Sequence, residues 1–289
     1  MKIAIAGGKG GTGKSTIATM IAAELAVKIR TMLIDCDVEC PNDHLLLSTD
    51  LKFYQDVFQV IPKWDRNICN KCGKCADICK QNAIVFVEDK FPAFLAEKCI
   101  GCKACLVACP LGAISVAKRP VGKIYLSDSK KYNITLVTGE LNIGDLASGE
   151  IVAELREESK KINLDKKCEH IITDAAAGIG CPVIASILNN DYMVAVTEPT
   201  PSAFSDLKRI VSLAKHFNIP IGIVINKYDI NEKFITEIKN FANNNKIKII
   251  GQIPYDKNLI KLNVEGKISD KIEHKEIIKK ILSNIERVI

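Results

Sequence analysis

Residues 7–16 read GGKGGTGKST and constrain the fold of this 289-residue chain more than any other stretch. They satisfy the Walker A pattern, in which four residues separate a glycine from a Gly-Lys-Ser/Thr sequence. The apolar segment Lys2 to Ala6 predicts a buried strand before the loop, and the periodicity of Thr16 to Lys28 predicts a helix after it. A strand, a glycine-rich loop and a helix in this order indicate a phosphate-binding loop in an α/β protein.

The residues of this loop would divide the work of holding a nucleotide. Backbone amides of the loop and the positive end of the helix would surround the phosphates. Lys14 would reach the β and γ oxygens, and the Ser15 hydroxyl would hold Mg²⁺. The predicted nucleotide-binding residues of the loop are Gly8, Lys9, Gly10, Gly11, Thr12, Gly13, Lys14, Ser15 and Thr16.

Two runs of cysteine share the spacing CxxCxxCxxxC. The first begins at Cys69 and the second begins thirty residues later at Cys99, so the two runs form an internal repeat. In two-cluster ferredoxins, three cysteines of such a run bind one 4Fe-4S cluster and the fourth binds the other cluster. The predicted ligands are therefore Cys69, Cys72, Cys75 and Cys109 for one cluster, and Cys79, Cys99, Cys102 and Cys105 for the other.

Zinc sites and disulfides are the alternatives for these cysteines, because paired CxxC sequences occur in both. Zinc leaves the regular fourth cysteine of each run unexplained. Disulfides are typical of secreted proteins, and the apolar run in MKIAIAGGKGG is too short for a secretory signal. Lys80 stands where a ferredoxin module often has proline, a departure that removes no ligand. The repeat otherwise resembles the bacterial ferredoxin module.

The early lysine of the phosphate loop, Lys9, carries a second resemblance. With the ungapped sequence KGGTGKS, it resembles the deviant Walker A family that includes MinD, ParA, Mrp and the nitrogenase iron protein. The resemblance covers nearly the whole chain and implies an ATPase that closes as a dimer over two ATP molecules. It also implies that Lys9 contacts the ATP of the partner subunit. A lysine that is merely solvated in its loop is the alternative interpretation.

The same resemblance assigns roles to residues after two predicted strands. Asp37, in LIDCD, matches the switch I aspartate that positions the attacking water, although Asp35 is an alternative. Asp174, in IITDAAAGIGCP, matches a Walker B or switch II carboxylate near Mg²⁺, and Gly178 would offer its amide to the γ-phosphate. An aspartate at this position can also simply cap the next helix. The predicted catalytic residues are Lys9, Lys14, Asp37 and Asp174.

Two further segments predict recognition of the base. The sequence NKYD, Asn226 to Asp229, resembles the NKxD element of GTPases, but deviant Walker A ATPases use the matching asparagine for adenine. ATP is preferred to GTP on this resemblance alone. The sequence IPYD, Ile253 to Asp256, is similar to a loop of the family that packs on adenine through Pro254, and locally it indicates only a turn.

Strands and helices alternate along the rest of the chain, which indicates a doubly wound, mostly parallel sheet. We therefore expect an α/β P-loop NTPase fold with an inserted α+β ferredoxin-like domain. The insert would span residues 63–118, flanked by Pro62 and Pro120, and the ATPase domain would span 1–62 and 119–289. The remaining predicted elements are strands 32–37, 169–173, 192–196, 221–225 and 247–251, and helices 202–216 and 232–244.

Charge and hydropathy exclude some classes of partner. The formal net charge of +6 falls to about +2 once each oxidised cluster with its four thiolates contributes about −2. Only 6% of residues are aromatic and no basic tract is present, so nucleic acid is not an expected partner. No apolar run spans a bilayer, and we expect a cytoplasmic protein. The amphipathic stretch Lys271 to Ile289 predicts a closing helix, with peripheral membrane binding as the alternative.

Four cysteines lie outside the two runs, and lone cysteines are usually small buried hydrophobes. Cys181 follows Asp174 by seven residues, the spacing at which the nitrogenase iron protein has a ligand for its intersubunit cluster. The partner cysteine motif has no counterpart here, so packing near switch II is the prediction and a bridging third cluster the alternative. The four histidines show no ligand spacing. The lone cysteines are Cys36, Cys40, Cys168 and Cys181.

The leading functional hypothesis is a dimeric switch in which ATP binding and hydrolysis gate 4Fe-4S electron transfer or the assembly of a metallocofactor on a partner protein. The dimer could be of identical chains or with a related ATPase. The alternatives are an iron-sulfur carrier controlled by ATP and a positioning ATPase whose clusters sense redox state.

Overall fold

The computed structural model describes residues 1–268 and 272–289. Most of its strands join one large sheet, and its helices pack on both faces of that sheet. The strands are β1 (Lys2–Gly7), β2 (Thr31–Asp35), β3 (Phe53–Trp64), β4 (Ile84–Val85), β5 (Ala93–Phe94), β6 (Ile114–Asp128), β7 (Ile134–Leu141), β8 (His170–Ala177), β9 (Tyr192–Thr197), β10 (Ile221–Asn226) and β11 (Lys248–Ile253).

The helices vary from one turn to five. Short 3₁₀ turns cover Ala96–Lys98 and Tyr228–Ile230. The α-helices are α1 (Lys14–Ala26), α2 (Asp43–Leu46), α3 (Lys74–Asp77), α4 (Ala104–Ala108), α5 (Ser148–Lys166), α6 (Cys181–Ile187), α7 (Pro201–His216), α8 (Glu232–Asn244), α9 (Lys257–Val264) and α10 (Ile272–Glu286).

The large sheet has the strand order β11-β10-β9-β1-β8-β2-β7-β6-β3. All strands from β11 to β7 run parallel, whereas at the other edge β6 pairs antiparallel with β7 on one side and with the edge strand β3 on the other. This confirms the predicted α/β class with its mostly parallel sheet. Strand β1 lies between β9 on one side and β8 on the other, so the strand order changes direction at β1. The loops that follow the parallel strands meet there in one crevice, where ligands of such sheets bind.

Strand β1 shows why the sheet is covered on both faces. Ile3 and Ile5 join a core with α1 and α10, while Ala4 and Ala6 join a second core with α7 and α8. Successive side chains of a strand point to opposite faces, so a strand buried on both sides is apolar throughout. This matches the continuous apolar run that predicted it.

Capping residues fix where the helices of the second face begin. The Thr200 hydroxyl accepts a hydrogen bond from the Ala203 amide at 3.3 Å, and Pro201 occupies the first turn of α7. The Asn231 side chain accepts from the Phe234 amide at 3.4 Å at the start of α8. Such caps satisfy amides that have no partner inside the helix.

The cysteine-rich segment is carried by the antiparallel pair β3 and β6, which runs from Phe53 opposite Tyr125 to Trp64 opposite Ile114 with two register shifts on the way. The flanking prolines therefore lie within strands rather than in linkers. Pro62 is on the edge strand, and Pro120 lies beside a register shift, both places where a strand tolerates a missing amide donor. The limits of an inserted domain at 63 and 118 stay a prediction.

The predicted C-terminal helix is present as α10, and Lys271, where the prediction began, lies outside the described residues. Ile278, Ile281 and Ile285 are buried against the core shared with β1, whereas Val288 is exposed. The prediction of a closing helix packed on the sheet is thus confirmed. Within residues 1–268 and 272–289, no helix is long and apolar enough to cross a membrane.

Candidate nucleotide site and cysteine pockets

The loop between β1 and α1 is tightly packed against its neighbours. Gly11 and Gly13 have φ angles of +80° and +91°, in the left-handed region that glycine adopts most easily. A Cβ atom on Gly13 would collide with the Asn226 side-chain nitrogen, and one on Gly8 would collide with Asp206. The loop therefore needs glycine at these positions for close packing as well as for backbone conformation.

Lys14 is buried, with 6% of its surface exposed, at the start of α1. Its ammonium group donates to the Lys9 carbonyl oxygen at 3.2 Å, and the Thr12 hydroxyl donates to the same oxygen at 3.3 Å. The loop is thus curled around the lysine at a helix N-terminus, where amides and the helix dipole favour a phosphate.

Three aspartates meet next to this loop. One carboxylate oxygen from each of Asp35, Asp43 and Asp174 lies within 4.8 Å of the others. All three side chains are buried, which raises the pKa of each, and the charges of the neighbouring aspartates raise the pKa values of Asp35 and Asp43 further. Both carboxylate oxygens of Asp43 and Oδ1 of Asp174 lack a hydrogen-bond partner among the described residues. The cluster therefore favours bound protons or a nearby cation.

Asp174 is linked to the phosphate loop. A hydrogen bond from the Ser15 hydroxyl and the positive charge of Lys14 both oppose the rise of its pKa. A hydroxyl beside a carboxylate offers the hard oxygen ligands that Mg²⁺ prefers. The donor set fits the predicted Mg²⁺ site, in which Ser15 is the expected ligand.

The structure separates the two candidates for the switch I aspartate. Asp35 ends β2, is fully buried, and accepts hydrogen bonds from the amides of Asp37, Asn42 and Asp43 at 3.0–3.2 Å. Asp37 lies beyond the strand and is half-buried, and burial raises its pKa while the Lys14 charge opposes the shift. The predicted strand end at Asp37 is corrected to Asp35, because the carboxylate of Asp35 ties down the loop that follows. Asp37 keeps its catalytic role as a prediction.

The predicted base residues line a cavity of about 230 Å³ beside the phosphate loop. Asn226 donates from its side chain to the Thr12 carbonyl oxygen at 2.8 Å, and the Tyr255 amide donates to Asp229 at 2.7 Å. Apolar walls with a few polar groups suit a nucleotide base. The lining residues are Gly11, Gly13, Thr16, Ile17, Met20, Asn226, Lys227, Ile253, Pro254, Tyr255, Asp256, Leu259 and Asn263.

Sequence reasoning missed a charged group beside the loop. Glu198 follows β9 and lies 2.8 Å from the Lys227 ammonium group and 3.9 Å from that of Lys9. Lys227 also donates to the Gly11 carbonyl oxygen at 3.0 Å. The one available signal was position, since Glu198 directly follows an apolar strand and Asp35 ends one. Asp174 was expected just after such a strand but lies within β8, which continues to Ala177. Asp43 was missed because no local pattern marks it.

The segment after β8 includes Gly178, whose φ of +100° favours glycine even though no atom would touch a Cβ there. Residues 178–180 are called the switch II loop below. Two of the lone cysteines, Cys36 and Cys168, are buried as expected, and burial raises the pKa of Cys36 to about 12. Cys40 and Cys181 are instead exposed, because each lies in or next to a loop at the edge of the sheet.

The eight cysteines of the two runs line two separate pockets. The fourth cysteine of each run lies in the pocket of the other run, as the spacing predicts. The first cysteine pocket contains Cys69, Cys72, Cys75 and Cys109, and the second contains Cys79, Cys99, Cys102 and Cys105.

Backbone amides in these loops point at sulfur atoms. The Ala83 amide donates to Cys79 Sγ at 3.3 Å, and the Ala113 amide donates to Cys109 Sγ at 3.2 Å, so the internal repeat is preserved in three dimensions. Hydrogen bonds to cluster sulfurs are one means by which proteins set cluster potentials. Each pocket therefore offers a backbone hydrogen bond to sulfur in addition to its four cysteine thiols.

Each pocket brings four cysteine thiols together, a donor set that both a structural zinc ion and a 4Fe-4S cluster accept. Burial raises the pKa of the Cys75, Cys99 and Cys105 thiols, so metal binding must displace their protons.

Residues 3–269 match the family model described as the CobQ/CobB/MinD/ParA nucleotide-binding domain. The chain belongs to this family. Its large unit is accordingly a P-loop ATPase domain of the MinD/ParA type. Over 267 residues it is 37% identical to an uncharacterized protein of Methanocaldococcus jannaschii, MJ0579, a match that covers 92% of this chain and 90% of that protein.

Comparison of structures agrees with this membership. A chain of the MinC:MinD cell division protein complex from Aquifex aeolicus superposes with a TM-score of 0.61 at 16% identity, covering 99% of this chain and 96% of that one. At this identity the likeness shows the fold.

A shorter match concerns iron-sulfur proteins. A segment of 57 residues, 19% of this chain, is 47% identical to 31% of the electron transport protein HydN of Escherichia coli. Together with the two cysteine pockets, this match supports an iron-sulfur domain of ferredoxin type within the chain.

Proposed function

We propose that this protein is a dimeric switch in which ATP binding and hydrolysis control 4Fe-4S electron transfer or the assembly of a metallocofactor on a partner protein. One observation carries the proposal: a nucleotide site and two cysteine pockets belong to the same sheet. The strand β6, which leads out of the cysteine-rich segment, pairs with β7, and β7 pairs with β2, which ends at Asp35.

The nucleotide half of the cycle uses residues of the phosphate loop. Lys14 and the loop amides bind the phosphates of ATP, and Ser15 and Asp174 provide oxygens beside Mg²⁺. Asp37 orients a water molecule, whose oxygen attacks the γ-phosphorus while the bond to the β-γ bridging oxygen breaks. ADP and inorganic phosphate leave, and the loops at Asp37 and Gly178 lose a contact that the γ-phosphate supplied.

Dimer formation depends on Lys9 in this proposal. The Lys9 side chain is 42% exposed and is held near Glu198 at 3.9 Å, a distance at which the ion pair is weak. It is therefore free to leave Glu198 and contact the phosphates of ATP in the partner subunit. Such a contact forms only in the closed dimer, which makes closure depend on the nucleotide.

The cysteine half holds the redox centres. Each pocket fits a 4Fe-4S cluster, which when bound supplies a centre for one-electron transfer. The cysteines would bind the cluster irons, the amides of Ala83 and Ala113 donate to ligand sulfurs, and the buried Cys75 and Cys105 pack in one apolar cluster with Ile84 and Ile114.

An iron-sulfur carrier is the second candidate, because one observation favours it. Cys72 and Cys102, which occupy equivalent positions in the two runs, are exposed. An acceptor thiol could approach iron at such a ligand and take over the cluster. Clusters transferred to an acceptor protein would support the carrier, whereas clusters that stay bound and only change redox state would support electron transfer.

The proposal is tested by anaerobic purification followed by electron paramagnetic resonance of the reduced protein. Spectra and midpoint potentials are compared without nucleotide, with MgADP and with MgATP. A nucleotide-dependent spectrum or potential supports the coupled switch. Two clusters that ignore the nucleotide contradict it, and zinc without iron contradicts the identity of the redox centres.

A further inference from the structure

Polar side chains from three elements meet beside the second cysteine pocket. Nη2 of Arg119, on β6, lies 2.6 Å from Asp145 Oδ1 and donates to Gln59 Oε1, on β3, at 3.4 Å. Gln59 is only 1% exposed, and its side chain also hydrogen-bonds Glu150 in the first turn of α5. Nε of Arg119 is buried without a hydrogen-bond partner among the described residues. These four residues are called the Arg119 network below.

One end of the Arg119 network touches a cysteine loop at Gly101. A Cβ atom on Gly101 would lie 3.2 Å from Glu150 Oε1 and 3.5 Å from Gln59 Cγ. The Gly101 amide donates to Cys99 Sγ at 3.4 Å, so the backbone in contact with Glu150 also holds a ligand sulfur. The positive charge of Arg119 acts on Cys99 as well.

The other end reaches the switch II loop through the residue that precedes Glu150. A Cβ atom on Gly149 would lie 2.8 Å from Cys181 Cβ and 3.7 Å from the Pro182 nitrogen. Cys181 begins α6 directly after the switch II loop. Contact with the cysteine loop and contact with the helix start that follows the switch II loop are therefore made by adjacent residues of one helical turn.

A short, packed connection of this kind can carry a displacement. The first turn of α5 is held by the hydrogen bond from the Ile151 amide to the Ala147 carbonyl oxygen at 3.1 Å, and Ile151 is fully buried. Gly149 and Cys181 approach too closely to leave room for a Cβ between them, so a shift of Cys181 towards Gly149 moves this turn, although Cys181 itself is exposed. The turn moves Glu150, and Glu150 bears on Gly101 and on Gln59.

We propose that the Arg119 network and Gly149 are positioning residues that couple the second cysteine pocket to the switch II loop. This inference rests on the proposed function, and it adds the route by which nucleotide and redox state sense each other. The first cysteine pocket has no assigned part in the route. A one-electron reductant would add negative charge to a cluster held in the second pocket and so strengthen its attraction for the Arg119 cation, and loss of the γ-phosphate would free Cys181 to press on Gly149.

The test uses reciprocity, because a coupling that lets a nucleotide alter a redox centre lets the redox centre alter nucleotide affinity by the same factor. The affinity for MgADP is measured by anaerobic calorimetry on the iron-loaded chain, oxidised and then reduced with dithionite. We expect the two affinities to differ by about 5- to 150-fold in the natural protein. Arg119→Gln should bring their ratio towards one, and Lys123→Gln, which removes an exposed cation from the same strand, should leave it unchanged.

A second pair of variants tests the route without touching the cysteine loop. The methyl group added in Gly149→Ala should press on Cys181 and reduce the ratio of the oxidised and reduced MgADP affinities. Adding Cys181→Gly should restore this ratio, because it removes the opposing Cβ. Iron content and MgADP binding in the oxidised state verify folding, and Asp145→Asn replaces Arg119→Gln if that variant loses iron. If the oxidised and reduced forms of the natural protein bind MgADP with equal affinity, both the proposed function and this route are overturned. A large ratio that survives in Arg119→Gln and Gly149→Ala would overturn the route alone.

Discussion

Asp35 and Asp174 are register partners on the neighbouring strands β2 and β8, and their carboxylates are buried together beside the phosphate loop. The Cys36 amide donates to the Asp174 carbonyl oxygen at 2.9 Å, which fixes the end of β2 against the middle of β8. The parallel register thus places two like charges side by side where a nucleotide and a divalent cation would bind.

This pair predicts how stability depends on pH. Burial together with the Asp174 charge raises the pKa of Asp35 to about 8, from 3.8 in its unperturbed state, so the folded protein holds a proton that the unfolded chain releases. The contribution of Asp35 to the free energy of unfolding is then greatest below about pH 4 and is lost as pH rises towards about 8. Without Mg²⁺ and nucleotide, the melting temperature should fall between pH 6 and pH 8.

Asp35→Asn should flatten this pH dependence, and Asp50→Asn, at an exposed position, should retain it. Added MgADP should also flatten the profile, because a cation compensates the carboxylate charges. Melting temperatures that rise with pH in the natural protein would contradict this reading of the cluster.

Lys9→Ala should lower ATP turnover by something on the order of a thousandfold, as the loss of a residue that acts across the interface does. Affinity for MgADP should change little, since the Lys9 side chain is directed to Glu198 within its own subunit. Lys28→Ala is the matched control, because it removes an exposed lysine that lies outside the phosphate loop. Unchanged turnover in Lys9→Ala would exclude the dimer that closes over two ATP molecules.

Glycines of the phosphate loop should differ in their tolerance of alanine. Gly13→Ala forces a residue into a φ of +91° and against the Asn226 side chain, so MgADP binding should weaken by about tenfold or more. Gly10→Ala should bind MgADP normally, because no atom lies within 4 Å of a Cβ there. Calorimetry on both variants decides this, and equal losses would show that the loop rearranges on binding.

Cys75→Ser should remove about half of the bound iron, because Cys75 belongs to only one of the two pockets. MgADP affinity should be retained. Cys40→Ser, an exposed cysteine outside both pockets, should keep all the iron. Iron and acid-labile sulfide assays on the anaerobic proteins provide the measurement, and full iron content in Cys75→Ser would refute the ligand assignment.

Contiguous motifs were the most predictable parts of this molecule. The phosphate loop lies within ten residues and its turn depends on local glycines, so its strand, loop and helix followed from the sequence. The limits of elements were less predictable: β2 ends at Asp35 rather than Asp37, and α1 begins at Lys14 rather than Thr16. Hydrogen bonds to Asp35 and the packing of Gly13 on Asn226 decide these limits, and neither is visible in a local pattern.

The sequence by itself determined the α/β class and the phosphate loop, and it predicted the grouping of cysteines found in the two pockets, because each depends on period or spacing over short stretches of chain. Only the tertiary structure placed Asp43 beside Asp174, Glu198 beside Lys9, and Glu150 beside Gly101. The two members of each pair lie far apart in sequence, and Asp43, Glu198 and Glu150 carry no motif. They meet because parallel strands bring their carboxyl ends to one edge of the sheet, and because β3 and β6 carry the cysteine loops back against α5.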